Sequence, residues 1–342
     1  MKRLSVLAVL VAASLSAACG GSGGTSLSDA AKDSLVVYSG RNENLVGPLL
    51  ERFTKATGIK VTPRYGDSAE LAATLLEEGS RTPASVFFSQ DAGALGALQD
   101  ANGLEKLPDS TLALVPARYR SATGAWVGVS GRARVLAYNT DAYDVADLPA
   151  SVLDLVRPEF KGKVGFVPTN ASFQAMVTAL RVTLGEDKTK AFLVAFKAND
   201  PKVYDRNAQL AEAVDKGEVP LGLLNHYYLY ERADEIGGVD KLHARNHFFA
   251  PGDAGSLVNV AGVGVLKGKA DTRTAALLSF LLGKEAQTYF AEETHEYPLV
   301  GGVAPVAEGL PALASVKGPE IDLSELHSLT ATLALLDEVG LT

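Results

Sequence analysis

The stretch "SLVVYSGRNENLVGPLLERFTKATG", residues 34–58, decides the fold, because it contains one complete strand-to-helix unit. Residues 35–38 form a short apolar run of the kind that buried strands show. The helical pattern that follows consists of Leu45, Leu49, Leu50 and Phe53. Gly58 stands where a helix commonly ends. The stretch therefore predicts a strand, a polar junction and an amphipathic helix.

The strand-to-helix unit recurs along the chain, in residues 84–103, 163–185 and 219–238. Alternation of strands and helices predicts an α/β fold with mostly parallel sheets. The chain also contains two longer strand-like stretches. Residues 126–139 lie between the second and third of these recurring units, and residues 256–268 follow the last one. We expect two α/β lobes joined by these two extended crossings, which would together form a hinge.

The composition of the chain excludes several functions. Its 342 residues suffice for about two domains, and a formal net charge of −8 leaves no basic footprint for nucleic acid. The sequence contains no phosphate-loop or H-E-x-x-H motif, and the segment around Ser130 lacks the G-x-S-x-G spacing of a nucleophile elbow. A secreted hydrolase that uses Ser130 or Ser172 is a remote alternative, since triads assemble in space rather than in sequence. His243 and His247, four residues apart, are an alternative zinc pair.

The first 19 residues predict an export signal. The basic "MKR" precedes the apolar stretch "LSVLAVLVAASLSAA", and Cys19, the only cysteine, follows at once. A cysteine in this place resembles the lipidated residue of bacterial lipoproteins. We therefore expect residues 1–19 to be a lipoprotein signal peptide and residues 20–34, rich in Gly and Ser, to be a flexible tether. The protein would be exported and anchored by lipid to the extracytoplasmic face of the cell membrane.

Polar residues follow four of the predicted strands, at the point where the chain enters the next helix. In open α/β sheets, ligands bind beyond the carboxyl ends of the strands. The four junctions are residues 39–44, 89–91, 169–172 and 225–228. Because the first two belong to one predicted lobe and the last two to the other, the sequence predicts a ligand site between the lobes.

Tyr227 and Tyr228 are adjacent at the last of these junctions. A phenol with a pKa near 10 binds common divalent ions poorly, whereas a small trivalent cation can displace its proton. Hard oxygen donors in a body without cysteine therefore point toward Fe³⁺. Adjacent side chains diverge on a regular helix or strand and converge only at an irregular junction. The alternative is that one tyrosine packs in the core and the other lies on the surface.

Two predicted helix starts provide candidate anion sites in the same lobe as the tyrosines. Thr169 and Asn170 precede one apolar helical pattern, and Asn207 precedes another. Helix N-termini bind anions through free backbone N–H groups and the helix dipole. Asparagine is also a common N-cap residue, and taken singly each of these asparagines fits a simple cap better than an anion site.

The body of the chain resembles the bacterial ferric-ion-binding proteins, the two-lobed receptors of iron ABC importers. The matching stretches include "LVVYSGRNE", "FTKATGIKV", "WVGVSGRARVLAYN", "FKGKVGFVPTNASF", "LNHYYLY", "DAGSLVNVAGVGVLK" and "EYPL". The resemblance implies a periplasmic binding protein of type II that closes over its ligand. The implied lobes are residues 35–132 plus 260–309 (N-terminal) and residues 133–259 plus 310–342 (C-terminal).

The resemblance also implies roles for individual residues. Tyr227 and Tyr228 match the iron-binding tyrosines, and Fe(III) would be held with a synergistic anion such as phosphate or carbonate. Matches to the anion site are Asn170, Ala171, Ser172, Asn207, Asn225 and Arg132. By the same analogy the protein is a monomer that delivers iron to an ABC permease.

The chain departs from the family at the N-terminal lobe. Asn42 and Gln90 stand where many members have the metal ligands His and Glu, and amides bind Fe³⁺ weakly. Glu43 or Asp91 would be substitute carboxylate ligands, but each is also explained as an acid at a helix start. The reduced ligand set leaves open a chelated iron species, an oxyanion or a small organic solute as the ligand.

Overall fold

The computed structural model of the chain describes residues 27–305 and 307–342. The predicted signal peptide and the lipidation site Cys19 therefore lie outside the described residues. Part of the predicted flexible tether, residues 20–34, is helical in the structure. Leu27–Asp33 forms a short helix, α1, because Leu27 and Ala31 pack against the apolar core.

Ten strands form one mixed sheet in the described part of the chain. They are β1 (Leu35–Ser39), β2 (Val61–Tyr65), β3 (Val86–Ser89), β4 (Val127–Asn139), β5 (Val164–Phe166), β6 (Lys202–Val203), β7 (Leu221–Asn225), β8 (Ala244–His247), β9 (Val258–Val265) and β10 (Tyr297–Pro298). Their order across the sheet is β2-β1-β3-β9-β4-β7-β5-β6, and both β8 and β10 also pair with β4. The pairings among β1, β2 and β3 and among β5, β6 and β7 are parallel, as predicted. Every pairing of β4 and β9 is antiparallel, so the sheet is mixed rather than mostly parallel.

Strand β4 links the two halves of the sheet. Up to Ala133 it pairs with β9, and from Arg134 onward it pairs with β7. β9 begins at Val258, directly opposite Ala133. The two predicted crossings therefore meet at one position of the sheet, which is where a hinge between two lobes is expected.

Helices cover the sheet on both sides of this crossing. The remaining α-helices are α2 (Glu43–Thr57), α3 (Ser68–Glu78), α4 (Ala92–Asp100), α5 (Asp109–Leu112), α6 (Ala171–Leu184), α7 (Glu186–Ala198), α8 (Asn207–Asp215), α9 (Tyr227–Ile236), α10 (Thr272–Leu281), α11 (Lys284–Glu293) and α12 (Leu329–Val339). In residues 27–305 and 307–342, no helix is long and apolar enough to cross a membrane.

The first strand-to-helix unit forms as its sequence predicts. β1 is fully buried, and the side chain of Asn42 caps α2 by accepting a hydrogen bond from the Asn44 N–H. Gly58 ends α2 with a φ of 73°, in the left-handed region that favours glycine. Local sequence therefore fixes both ends of this helix.

The C-terminal segment contacts both halves of the molecule. A short 3-10 helix, Leu323–His327, packs on α4, and the Trp126 Nε1–H donates to Ser324 Oγ (3.2 Å). α12 instead packs on α6 and α7, where Thr178 and Thr332 share a hydrogen bond of 2.7 Å. The segment is thus divided into two helical parts, the first packed mainly on α4 and the second on α6 and α7.

We expect Gly96→Ala to destabilise the protein by about 1–3 kcal/mol, because overpacking against fixed backbone strains a fold. Gly96 lies inside α4, and a Cβ there would overlap the Ser324 carbonyl oxygen. Gly47 is a matched control, since it also lies inside a helix but its Cβ would meet only side-chain atoms at 3.5 Å or more. Gly47→Ala should stabilise the protein by up to about 1 kcal/mol. Urea denaturation measures the free energy of unfolding of both variants. An equal change in the two variants would contradict the close packing of the C-terminal segment against α4.

Candidate metal centre

Tyr227 and Tyr228 are the first two residues of α9, and only His226 separates them from the end of β7. Their ring centroids lie 4.3 Å apart with an interplanar angle of 33°. The abrupt change from strand to helix lets two adjacent side chains converge, which a regular helix or strand would prevent. The structure therefore brings the two predicted ligands together.

Tyr227 is a neutral phenol in this environment. Burial raises its pKa well above the ordinary value, and repulsion from Tyr228 adds to the rise, while the charge of Arg132 opposes it. Ionisation of such a group requires a strong positive charge nearby. A trivalent cation placed at the tyrosine pair would supply that charge.

Arg134 lies beside the tyrosine pair and has almost no partner. It pairs with Asn225 across β4 and β7, and its Nη1 lies 3.4 Å from Asn225 Oδ1. Its Nε and Nη2 atoms are buried without a hydrogen bond. Burial lowers the pKa of Arg134 to about 10, although electrostatic interaction with Tyr228 and Tyr227 opposes this effect. A buried guanidinium with free N–H groups is suited to receive an anion.

Arg132 is the arginine that the family resemblance assigned to the anion site, whereas Arg134 was not among the predicted site residues. The signal was present in "SGRAR", because residues two apart on a strand share one face. Arg132 turns toward the other half of the sheet, where its Nη2 donates to the Gln90 carbonyl oxygen and its Nε lies 3.9 Å from Glu296.

Glu296 is the centre of a buried ion-pair cluster that sequence analysis also missed. Arg41 donates to both of its carboxylate oxygens, at 2.9 and 3.1 Å, and Ser130 Oγ donates as well. Burial alone would raise the pKa of Glu296, but Arg41, Arg132 and Ser130 outweigh burial and hold it below the ordinary value. Glu296 therefore compensates the charge of Arg41. Among the described residues it contacts Arg132 as well but forms no ion pair with Arg134.

The predicted anion residues of α6 lie next to Asn225. Asn170 caps α6 by accepting from the Ser172 N–H at 3.0 Å, and Asn225 Nδ2 donates to Ser172 Oγ at 2.9 Å. Ala171 is the first residue of α6. The amide of Asn225 thus connects the start of α6 to the guanidinium of Arg134.

Asn207 differs from its predicted role as an N-cap. Arg206 occupies the cap position of α8 and makes no side-chain cap bond, and Asn207 is the first helical residue. Both polar atoms of the Asn207 side chain are buried without a partner. A buried, unpartnered amide at a helix start is a group that a ligand can satisfy.

The four predicted residues of the N-terminal lobe fall into two groups. Asn42 and Glu43 are exposed at the start of α2. Gln90 Oε1 instead accepts from Arg41 at 2.9 Å, and Asp91 caps α4. Burial raises the pKa of Asp91, with its bond from the Ala94 N–H and the charge of Arg132 acting against the rise.

A cavity of about 220 Å³ opens between α3, α4 and α6. Asp91 at the start of α4, Ala171 at the start of α6 and His327 of the C-terminal segment all line it. Predicted site residues from both halves of the molecule thus face the same cavity.

The alternative sites do not assemble. His243 precedes strand β8 and His247 is its last residue, so the two do not lie on a helix. His243 contacts Asp141, whereas His247 contacts the Pro149 carbonyl oxygen. Within the described residues, no cluster of three or more His, Cys, Asp or Glu side chains could hold a metal ion. Ser130 is fully buried with its hydroxyl on Glu296, so it is not placed as a nucleophile.

Residues 77–323 match the family described as bacterial extracellular solute-binding protein. The chain belongs to this family. The solute-binding protein is 35% identical to the Fe(3+)-binding periplasmic protein of Serratia marcescens over 313 residues, which cover 91% of both chains. It is 33% identical to the major ferric iron-binding protein of Neisseria gonorrhoeae, over 90% of this chain and 93% of that protein.

Solved structures agree with these relatives. The solute-binding protein is similar to iron-bound HitA from Pseudomonas aeruginosa, with a TM-score of 0.80, 34% identity and coverage of 90% and 99% of the two chains. It is also similar to FutA from Trichodesmium in complex with iron and citrate, with a TM-score of 0.76, 30% identity and coverage of 90% and 100%. These findings confirm the predicted family and the type II periplasmic binding fold, and they identify a solute-binding protein rather than an enzyme.

Arg134→Met should leave the ligand-free protein equally stable or more stable, because it removes a buried charge without an ionic partner. Arg41→Met is the matched control, since it removes an equally buried arginine but breaks its ion pair with Glu296. It should cost about 3–5 kcal/mol. Denaturant unfolding of both variants measures the difference, and a large loss for Arg134→Met would contradict the unpaired state of this guanidinium.

Glu231→Gln should remove a pH dependence from stability. Burial raises the pKa of Glu231 to about 7, helped by the charges of Glu296, Glu235 and Asp234. Since an unfolded glutamate titrates near pH 4.3, unfolding releases a proton between about pH 4.3 and 7, and stability falls as pH rises. The variant should exceed the wild type by about 1–3 kcal/mol at pH 8 and match it near pH 4.

The control for this pH series is Glu285→Gln, which changes an exposed acid in the first turn of α11 whose charge does not contribute to the raised pKa of Glu231. Thermal or urea unfolding from pH 4 to 8 should show nearly wild-type dependence for this variant. A wild-type protein whose stability does not fall between pH 5 and 8 would contradict the raised pKa of Glu231.

Proposed function

We propose that the protein captures ferric ion together with a small, multiply charged anion and that Tyr227 and Tyr228 are the metal ligands. One observation carries the proposal: the two phenol rings lie together and interact with a buried arginine, Arg134, that has no anionic partner among the described residues. The relatives from Serratia and Neisseria, whose names specify ferric iron, support it.

Charge balance explains why arginines would accompany a cation. Ferric ion with two phenolates keeps one net positive charge, which Arg134 would repel. A dianion or trianion, such as carbonate or phosphate, reverses the sign of the complex, so that Arg134 becomes attractive. The Asn207 amide, the Asn225 amide and the start of α6 at Ala171 and Ser172 would complete the anion site through hydrogen bonds.

The raised pKa of Tyr227 determines what the first step of binding requires. Tyr227 keeps its proton until a strong cation arrives, so metal binding should release protons. We infer that iron and anion bind first to the lobe of residues 133–259 and 310–342. The lobe of residues 35–132 and 260–309 then closes by bending at β4, bringing Gln90 and Asp91 toward the complex.

Delivery to an ABC permease, export and a lipid anchor on Cys19 belong to the same proposal. They rest on the family's extracellular description and on the sequence of residues 1–19. A monomer bound to the membrane by lipid would meet its permease by diffusion in two dimensions.

A second candidate is an oxyanion or a chelated iron species as the ligand. The unpaired guanidinium of Arg134 favours it, because this group can bind an anion without any metal. Native mass spectrometry of protein purified from its own cells separates the candidates. A bound oxyanion or organic acid without iron would support the second, and iron with an inorganic anion would support the first.

We predict that Fe³⁺, added with phosphate or carbonate, gives a visible phenolate-to-iron charge-transfer band. Tyr227→Phe or Tyr228→Phe should weaken and shift the band and lower iron affinity at least tenfold, since each removes one charged ligand, worth about 1.4 kcal/mol or more. Tyr230→Phe is the matched control, because Tyr230 lies one turn further on α9 and is equally buried. A band that survives both substitutions, or no band in the wild type, would contradict the iron proposal.

A further inference from the structure

His226, between the end of β7 and the tyrosine pair, is a fully buried side chain that the proposed ligand set does not use. Its Nδ1 accepts from the Ala133 N–H at 3.2 Å, and its Nε2 lies 2.8 Å from the His295 carbonyl oxygen. Because Nδ1 accepts, the proton must be on Nε2, which donates to His295. The ring also packs against that of Tyr297 at a tilt of 36°, with centroids 4.8 Å apart.

These contacts of His226 reach both halves of the sheet. Ala133 is the last residue of β4 that pairs with β9, and β7 takes over at Arg134. His295 lies between α11 and β10, on the β9 side of this crossing. The imidazole therefore joins the start of α9 to the crossing strand and to the opposite lobe.

A second histidine makes the reciprocal connection. His295 Nε2 lies 2.7 Å from Asp234 Oδ2, in the third turn of α9, and its ring lies 5.9 Å from that of Tyr230. The backbone of His295 has a φ of 51°, a left-handed conformation that persists in a non-glycine residue where its surroundings hold it. Two contacts from opposite directions thus fix α9 to residues 294–297.

The start of α9 needs such support. His226 occupies its N-cap position and makes no side-chain cap bond within the helix. Residues 294–297 also contain Glu296, which binds Arg41 and contacts Arg132. A displacement of this segment would therefore move the tyrosine helix and the arginine cluster together.

We propose that His226 and His295 form an interlobe clasp that positions Tyr227 and Tyr228 for metal binding and couples them to the Arg41–Glu296–Arg132 cluster. This inference rests on the proposed iron function. His226 is a positioning residue rather than a ligand, because both of its ring nitrogens are engaged by the backbone. Loss of the clasp should change how firmly the tyrosines hold the metal while leaving the number of ligands unchanged.

Two substitutions of His226 separate its two hydrogen bonds. In His226→Asn the amide oxygen can replace Nδ1 as acceptor for the Ala133 N–H, but it cannot reach His295. In His226→Gln the longer amide can donate to the His295 carbonyl oxygen. We expect His226→Asn to shift the charge-transfer band and to accelerate iron release to a competing chelator about tenfold, because the variant loses one buried hydrogen bond. Gln should stay within about threefold of the wild type.

Asp234→Ala tests the other half of the clasp on an exposed side chain, so it reports even if His226 variants fail to fold. It should accelerate iron release about threefold. His247→Asn is the matched control, because this histidine also bonds a backbone carbonyl, that of Pro149 at 2.9 Å, but lies in β8. It should leave both the band and the release rate unchanged.

The outcomes are distinguishable. Without a charge-transfer band in the wild type, the iron function and the clasp both fail. With a wild-type band, lowered melting temperatures but unchanged bands and release rates in His226→Asn and Asp234→Ala would overturn the clasp alone. Faster release in these two variants, with rescue by His226→Gln, would establish it.

Discussion

The change of partner along β4, from β9 at Ala133 to β7 at Arg134, is the constraint on which the rest of the structure depends. Side chains before this point reach the Glu296 cluster, and Arg134 reaches Asn225 and the tyrosine pair. A strand permits little local variation in direction, so the position of the crossing fixes both groups relative to each other. The same backbone position would bend if the lobes close.

Buried charge distinguishes the site from an ordinary core. Arg41 and Glu296 are both buried, but their opposite charges are paired through two hydrogen bonds. Arg134 is equally buried and lacks such a partner, which costs stability in the ligand-free protein. Natural proteins accept such local conflicts mainly at functional sites. An anion that arrives with the metal would remove this conflict, and stability gained on binding would follow.

Local patterns predicted the parts of the structure that depend on neighbouring residues. The end of α2 at Gly58 and the strand-to-helix junction at Tyr227 both follow from adjacent sequence. The Arg41–Glu296 pair could not be predicted this way, because 255 positions separate its members and neither has a distinctive neighbourhood. Asn207 has the residue type of a cap, yet it lies one position inside α8 with its amide unpaired. The two helical parts of the C-terminal segment pack mainly on different helices, a long-range arrangement that local periodicity does not record.

The most direct measurement of the central claim is a crystal structure of the protein loaded with Fe³⁺ in the presence of phosphate. The account predicts one metal ion bonded to the phenolic oxygens of both Tyr227 and Tyr228, and an anion that bridges the metal and the free N–H groups of Arg134. A metal bound elsewhere, or a metal on the tyrosines with no anion at Arg134, would contradict it.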